Sequence, residues 1–361
     1  MGTHPVEFVG MIGASYYSEA ALPTGPLVDH PYLEDFARAY DDGGFDWTLV
    51  PYSSGAPEST QLAAWVLART ERLKVMLAHR PGVVHPVNAA RTFATLDQLS
   101  HGRLGIHFLA GSDAEQQREG DYLDKDTRYA RAAEYIRILR RVWSGAGPFD
   151  HEGEFYRFTG FESRVRPAGA ILLSVGGSSD AAHRLGGAEA DIFGLWGEPL
   201  ADTAEQIAAV NRYADDAGRP HPRIWVSFRP IIAPTDALAW ERAEEILGGI
   251  ERHHVRVSTT GGPSPQNVGS QRLLSIAARG ERHDRALWTA TAAATNAAGA
   301  STALVGSPET VAAALLDYVD IGCDVLSIRG YDPLRDARDL GREVLPLVRG
   351  ELACRGGEDR A

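Results

Sequence analysis

Lysine and cysteine are almost missing from this chain, and no apolar run approaches the length of a membrane span. Lys74 and Lys125 are its only lysines, and the formal net charge is −12. A sequence-independent nucleic-acid binder needs a basic surface, so that class is excluded. Cys323 and Cys354 are too few to build a disulfide framework. The start of the chain shows no basic segment followed by an apolar core, so no secretory signal is expected. With no spanning run, the expectation is a cytoplasmic protein without a membrane partner. Histidine is scarce where a metal would need it. The segment Glu7-Phe8-Val9-Gly10-Met11-Ile12 holds none, and His253-His254 has no spaced partner, so no metal centre is expected.

What is present is a rhythm. Eight short apolar runs are each followed by a helix-like stretch: Val6–Ile12, Phe45–Pro51, Leu73–His79, Leu104–Leu109, Ala170–Val175, Ala190–Leu195, Arg223–Ile232 and Cys323–Ile328. Strand then helix, eight times over, predicts an α/β fold of the (β/α)8 TIM-barrel class. The clearest helix is Asp126–Ser144, with Ala132, Tyr135, Ile136, Leu139 and Val142 on one stripe and Asp126 and Thr127 as cap candidates. A hydrophobic fraction of 44% is ample for a large core.

Two insertions break the rhythm. Near 148–161, Phe149, Phe155, Tyr156 and Phe158 flank a polar His151-Glu152-Gly153-Glu154 turn, which predicts a small β-hairpin. Near 251–300, the stretch containing Thr259-Thr260-Gly261-Gly262-Pro263 has no periodicity and predicts a mobile lid. Residues 1–350 are expected to form a single barrel domain, followed by a frayed tail at 351–361.

Barrels of this kind place their chemistry at the carboxyl ends of the strands. There the chain reads Pro51-Tyr52-Ser53-Ser54, His79-Arg80-Pro81, Ala110-Gly111-Ser112-Asp113 and Gly176-Gly177-Ser178-Ser179. The later ends are Trp196-Gly197, Arg229 and Arg329-Gly330-Tyr331. Gly177, Ser178 and Ser179 close a strand and open a helix, which suits a phosphate or, equally, a purely structural turn. Arg128-Tyr129 could hold phosphate or sugar hydroxyls, or simply pack. His107 could be a core histidine. Tyr331 could donate a proton to a ligand or plug the rim, and Trp196 could stack on a planar group or seal the core. No Ser–His–Asp or Cys–His order can be assigned.

Together these motifs resemble the bacterial luciferase-like flavin monooxygenases, and most closely the alkanesulfonate monooxygenase group. The similar stretches include Ala94-Thr95-Leu96-Asp97-Gln98-Leu99-Ser100-His101-Gly102-Arg103, Asp124-Lys125-Asp126-Thr127-Arg128-Tyr129, Gly176-Gly177-Ser178-Ser179-Asp180 and Trp196-Gly197-Glu198-Pro199. Val268-Gly269-Ser270-Gln271-Arg272 and Thr302-Ala303-Leu304-Val305-Gly306 continue the series in the same order.

The resemblance implies a barrel that takes up FMN in its reduced form, FMNH2, from a separate NAD(P)H:flavin reductase. Oxygen is activated on the flavin, and one atom of O2 passes to a small organic substrate. The flavin-contacting positions would be Tyr52, Ser53, His107, Ala110, Arg128, Tyr129, Gly177, Ser178, Ser179 and Trp196. Arg80, Arg229, Tyr331 and His79 would carry catalysis, the arginines by stabilising the flavin–oxygen adduct or an anionic substrate. His107 stands where relatives often have asparagine, and Ala110 where many have threonine. The sulfonate side departs further. Ala56 replaces a cysteine, Ser227 and Arg229 replace an arginine and a histidine, and Thr295-Asn296-Ala297-Ala298-Gly299 lacks a lid arginine. A changed substrate is therefore expected, an organosulfur compound or a natural-product intermediate. A homodimer or homotetramer is implied as well. The alternatives are a deazaflavin-dependent oxidoreductase on the same barrel, a flavin-binding protein without catalysis, and a metal hydrolase.

Overall fold

The computed structural model describes residues 4–21, 25–257, 267–299 and 301–358. Its strands are β1 (Glu7–Met11), β2 (Trp47–Val50), β3 (Lys74–His79), β4 (Leu104–Phe108), β5 (Phe149–Glu152), β6 (Arg157–Phe161) and β7 (Leu172–Gly176). They continue with β8 (Ile192–Trp196), β9 (Arg223–Ile232), β10 (Arg282–His283), β11 (Leu287–Trp288), β12 (Ala303–Gly306) and β13 (Cys323–Ile328). The principal sheet runs β9-β13-β1-β2-β3-β4-β7-β8, and a β8–β9 pairing closes it. The fold is therefore a closed eight-strand parallel barrel with helices between the strands, as the eight apolar runs predict. The predicted hairpin is the separate antiparallel pair β5–β6.

Two compact units can be distinguished. One comprises Met1–Thr48, Gly194–Ala208 and Arg223–Ala361, and the other Leu49–Phe193 and Ala209–Pro222. In the first, the helix His30–Asp42 starts at Asp29, whose carboxylate accepts from Tyr32 N at 3.1 Å, with Pro31 in the first turn. Its buried face carries Leu33, Phe36 and Tyr40. The Tyr40 hydroxyl bonds both Met11 N (3.0 Å) and Met11 O (3.1 Å) on β1. Gly10 is what permits this approach, since a Cβ there would lie 2.2 Å from the Tyr40 ring.

In the second unit, the helix Lys125–Ser144 buries the whole predicted stripe of Ala132, Tyr135, Ile136, Leu139 and Val142. Its cap is Asp124, two residues before the expected start. That carboxylate accepts from both Asp126 N and Thr127 N at 3.0 Å. Helix propensity alone would have extended the helix; the side-chain acceptor decides where it begins.

The region near 251–300 holds more regular structure than the expected lid segment suggests. Where described, it is mostly regular: the end of the helix Asp236–Val257, the helix Val268–Arg279, the hairpin β10–β11 and the short helix Ala290–Ala294. Asn267 caps the second of these, accepting from Ser270 N at 2.7 Å. Leu273 and Ile276, spaced as on one helix face, pack with Ala292 and Ala297 in a small core. The glycine–proline stretch 259–265 lies outside the described residues. The sequence reading also missed β12. Strand β9 is ten residues long because it serves two partners in succession: β13 along Ile224–Phe228 and β12 along Arg229–Ile232.

Candidate functional site

The strand-to-helix turn after β7 combines a serine cap with a close backbone approach. Ser179 caps the helix Asp180–Glu189, its Oγ accepting from Ala182 N at 3.3 Å. The first N–H groups of that helix have no partner within it. Gly177 sits at φ +142°, and a Cβ there would lie 2.8 Å from both the Tyr129 hydroxyl and the Ala182 Cβ. The glycine thus lets the backbone run under the buried Tyr129, whose hydroxyl bonds Ser179. Ser178 is half-buried beside them. The structure brings Tyr129, Gly177, Ser178 and Ser179 into one place. Asp180 sits in the first turn too, but its carboxylate turns to the Tyr213 hydroxyl (2.5 Å) and to Arg184 (3.0 Å).

Arg128 has a different task from its neighbour. It is buried, and its donors go to Ala110 O (Nε, 2.8 Å), Leu123 O (Nη1, 2.6 Å) and the Asp113 carboxylate (Nη2, 2.7 Å). The side chain fixes the backbone after β4, and Gln116 adds a second donor to Ala110 O at 2.9 Å. The Ala110 carbonyl is thus pinned by two donors, which residue type alone could not reveal.

Two histidines on adjacent strands are neutral. His107 is matched with Ala78 of β3 and Ser174 of β7, and its Nδ1 lies 2.9 Å from Ser174 Oγ. Burial pulls its pKa down to about 4. Burial likewise brings His79 down to about 3. The Tyr135 hydroxyl donates to Val84 O (3.1 Å), so the 2.8 Å contact at His79 Nε2 must be His79 donating to Tyr135. His79 holds that proton as part of an aromatic cluster with Phe93 and Phe108.

Tyr52, Ser53 and Arg80 also meet, through partners the sequence reading did not single out. Arg80, 1% exposed, pairs with Glu115 and with Glu119 (3.0 Å), both from the segment around the helix Asp113–Arg118. Tyr52 donates to Glu119 at 2.6 Å, Ser53 donates to Glu115 at 2.9 Å, and the Arg80 guanidinium lies 4.6 Å from the Tyr52 ring. Burial and Glu119 both raise the Tyr52 phenol above its usual pKa. The i, i+4 spacing of the two glutamates was the available signal.

The remaining candidates belong to the first unit. Arg229, 2% exposed, makes a two-pronged contact with Glu19, both N···O distances being 2.8 Å. It also donates to Arg329 O (Nε, 3.1 Å) and Gly330 O (Nη2, 2.9 Å), and its guanidinium lies 4.0 Å from the Tyr331 ring. Burial works against ionisation of Glu19, yet the Arg229 contact outweighs it and holds the carboxylate at about 2. Glu19 was not anticipated from sequence, because nothing near it in the chain hints at a partner 210 residues away. The Tyr331 hydroxyl is buried without a hydrogen-bond partner of normal geometry among the described residues. Burial raises its pKa, and the Arg229 charge and a neighbouring Thr291 hydroxyl offset this only in part. Trp196 packs against the Leu273–Ile276 core, with Gly269 close enough that a Cβ would lie 2.9 Å from its ring. Beside it, Glu198 is 1% exposed and clamped by Arg272 at 2.8 Å through both oxygens.

Among the described residues, no group of three or more histidine, cysteine or acidic side chains is placed to hold a metal ion.

Comparison with known proteins adds a family match over residues 13–324, described as luciferase-like monooxygenase. Solved structures of the same fold include a riboflavin lyase, RcaE, with modified FMN and riboflavin (20% identity, 96% of this chain, 92% of that chain, TM-score 0.78). Another is the EDTA monooxygenase EmoA from Chelativorans sp. BNC1 (18% identity, 96% and 94% covered, TM-score 0.78). A third is an F420-dependent secondary alcohol dehydrogenase (16% identity, 96% and 100% covered, TM-score 0.69).

Proposed function

Because this chain belongs to the luciferase-like monooxygenase family, we propose that it is a monooxygenase that binds reduced FMN and transfers one atom of O2 to a small organic substrate. The observation that carries the cofactor is the Gly177–Ser179 turn under Tyr129. A helix start with free N–H groups, the Ser178 and Ser179 hydroxyls and the Tyr129 hydroxyl form the donor set a terminal phosphate requires. The ring end is proposed to rest on the β4 face bearing His107, whose neutral imidazole offers a hydrogen bond without a competing charge.

Reduced FMN supplies the electrons that O2 needs. The chain's own work is to bind, orient and exclude water. Arg128 fixes the backbone at Ala110 and Gly111. Arg80 and its two glutamates hold Tyr52 and Ser53 in one orientation. Tyr331, protonated at neutral pH, is the proposed hydrogen-bond or proton donor. The electrons are proposed to come from a separate NAD(P)H:flavin reductase, and the chain is proposed to act as a homodimer or homotetramer. The substrate class proposed is an organosulfur compound or a natural-product intermediate.

Similarity to an F420-dependent dehydrogenase of the same fold keeps a deazaflavin oxidoreductase as the second reading. Anaerobic titration with reduced FMN and with reduced F420 separates the two. Tight uptake of reduced FMN with weak uptake of the deazaflavin supports the monooxygenase, and the reverse order removes it.

A further inference from the structure

The arginine cluster of the first unit is not balanced. Arg229 and Arg329 share a single carboxylate, that of Glu19, which leaves one positive charge in excess. Among the described residues no other carboxylate lies within ion-pair distance of either guanidinium. The nearby Asp336 is engaged elsewhere, by Arg242 at 2.6 Å and by Asp332 N at 2.9 Å.

The two arginines also differ in what they have left to give. A guanidinium carries five N–H donors. Arg229 uses four of them, on both Glu19 oxygens and on the carbonyls of Arg329 and Gly330. It is nearly sealed from solvent. Arg329 follows β13 directly, at the strand end where barrels of this class bind ligands. Its side chain's one hydrogen bond to a described residue is a long one, Nη2 to Glu19 at 3.3 Å, and that side chain is 21% exposed. Tyr17, more than half exposed, lies within electrostatic reach of Glu19, Arg329 and Arg229. A partly buried cation with unspent donors and an aromatic neighbour is incomplete without an anion.

We propose that Arg329 is the substrate-recognition residue of this chain, taking an organic oxyanion on its guanidinium with the apolar part of the ligand against Tyr17. Arg229 is then a positioning residue: with Glu19 it holds the segment after β1 and fixes the backbone from which Arg329 projects. As a statement about substrate the inference rests on the function proposed above; as a statement about a binding site it stands alone.

The test uses the full chain without FMN, titrated calorimetrically with benzenesulfonate at ionic strength held constant with KCl. Its neutral counterpart, methyl phenyl sulfone, is titrated in parallel. One benzenesulfonate per chain is expected, with the sulfone at least about tenfold weaker and R329Q losing about tenfold in benzenesulfonate affinity. R329K keeps the charge and serves if R329Q fails to fold; its affinity falls severalfold, because an ammonium cannot present the planar fork. Unchanged affinity in the folded variant overturns the proposal. So does equal affinity for the sulfone, or no uptake of benzenesulfonate by the parent chain. Since no flavin is present, none of these outcomes depends on the cofactor reading.

Discussion

The Tyr129 hydroxyl stands 2.8 Å from the point where a Cβ on Gly177 would lie. Tyr129 lies in the second turn of the helix Lys125–Ser144 and Gly177 directly follows β7, so the contact joins two neighbouring βα units at the proposed phosphate turn. Replacing Gly177 by alanine forces the turn and Tyr129 apart and places a side chain at φ +142°, a strain of about 1–3 kcal/mol. The expected result for Gly177→Ala is a folded protein with at least about tenfold weaker affinity for reduced FMN. Fluorescence titration under nitrogen measures it. Unchanged affinity would detach this turn from the cofactor.

Glu19→Gln should destabilise the first unit. The substitution leaves two guanidiniums without a carboxylate, and breaking a buried ion pair from one side costs about 3–5 kcal/mol. Urea denaturation gives the number. A loss below about 1 kcal/mol would place the pair with ordinary surface bridges.

The two glutamates on Arg80 should behave as a unit. With either one present, the buried guanidinium keeps a partner; with neither, it is stranded. Glu115→Ala and Glu119→Ala are each expected to cost about 1–2 kcal/mol, and the double variant clearly more than their sum. Strict additivity in a double-mutant cycle would mean that Arg80 finds another acceptor.

Acid should weaken the fold in two stages. His79 and His107 have folded pKa values of about 3 and about 4, below the ordinary 6.5. The unfolded chain therefore binds protons that the folded one refuses, and stability falls as pH drops below about 6.5. Each histidine contributes a slope of about 1.4 kcal/mol per pH unit until its folded pKa is reached. Glu19, held at about 2, acts later. Its contribution is intact above the unfolded carboxylate value and is lost as pH falls from about 4.5 toward 2. Denaturation midpoints between pH 7 and pH 5 check the first stage, with His79→Asn expected to flatten the slope. A pH-independent midpoint across that window would contradict the neutral, buried histidines.

Much of the barrel could be read in the chain because each strand is a compact apolar run and each helix a local periodic stripe. The Gly177–Ser179 turn itself was legible for the same reason: the three residues are adjacent, and their geometry is set by neighbours. Strand β12 was hidden because its four residues, Ala303–Gly306, form a strand only by pairing with the far end of β9. The helix Val268–Arg279 was hidden by the glycine–proline stretch before it, which suggested a structureless segment. Buried charge was the least legible feature. Glu19, Glu115 and Glu119 look like ordinary surface acids, and only their distant arginines show what they do. The Leu96-Asp97-Gln98-Leu99-Ser100-His101-Gly102-Arg103 stretch turns out to be scaffold. Asp97 accepts from Ala168 N at 2.7 Å, and Arg103 donates to Leu67 O (2.7 Å), Leu73 O (2.9 Å) and Ser100 O (2.9 Å).

The most direct test compares two reduced flavins that differ only at the far end. In an oxygen-free calorimetric titration, reduced FMN should bind one per chain, and reduced riboflavin, lacking the phosphate, at least about tenfold more weakly. Equal affinity for the two, or no uptake of reduced FMN, would contradict a phosphate held by Tyr129, Ser178 and Ser179.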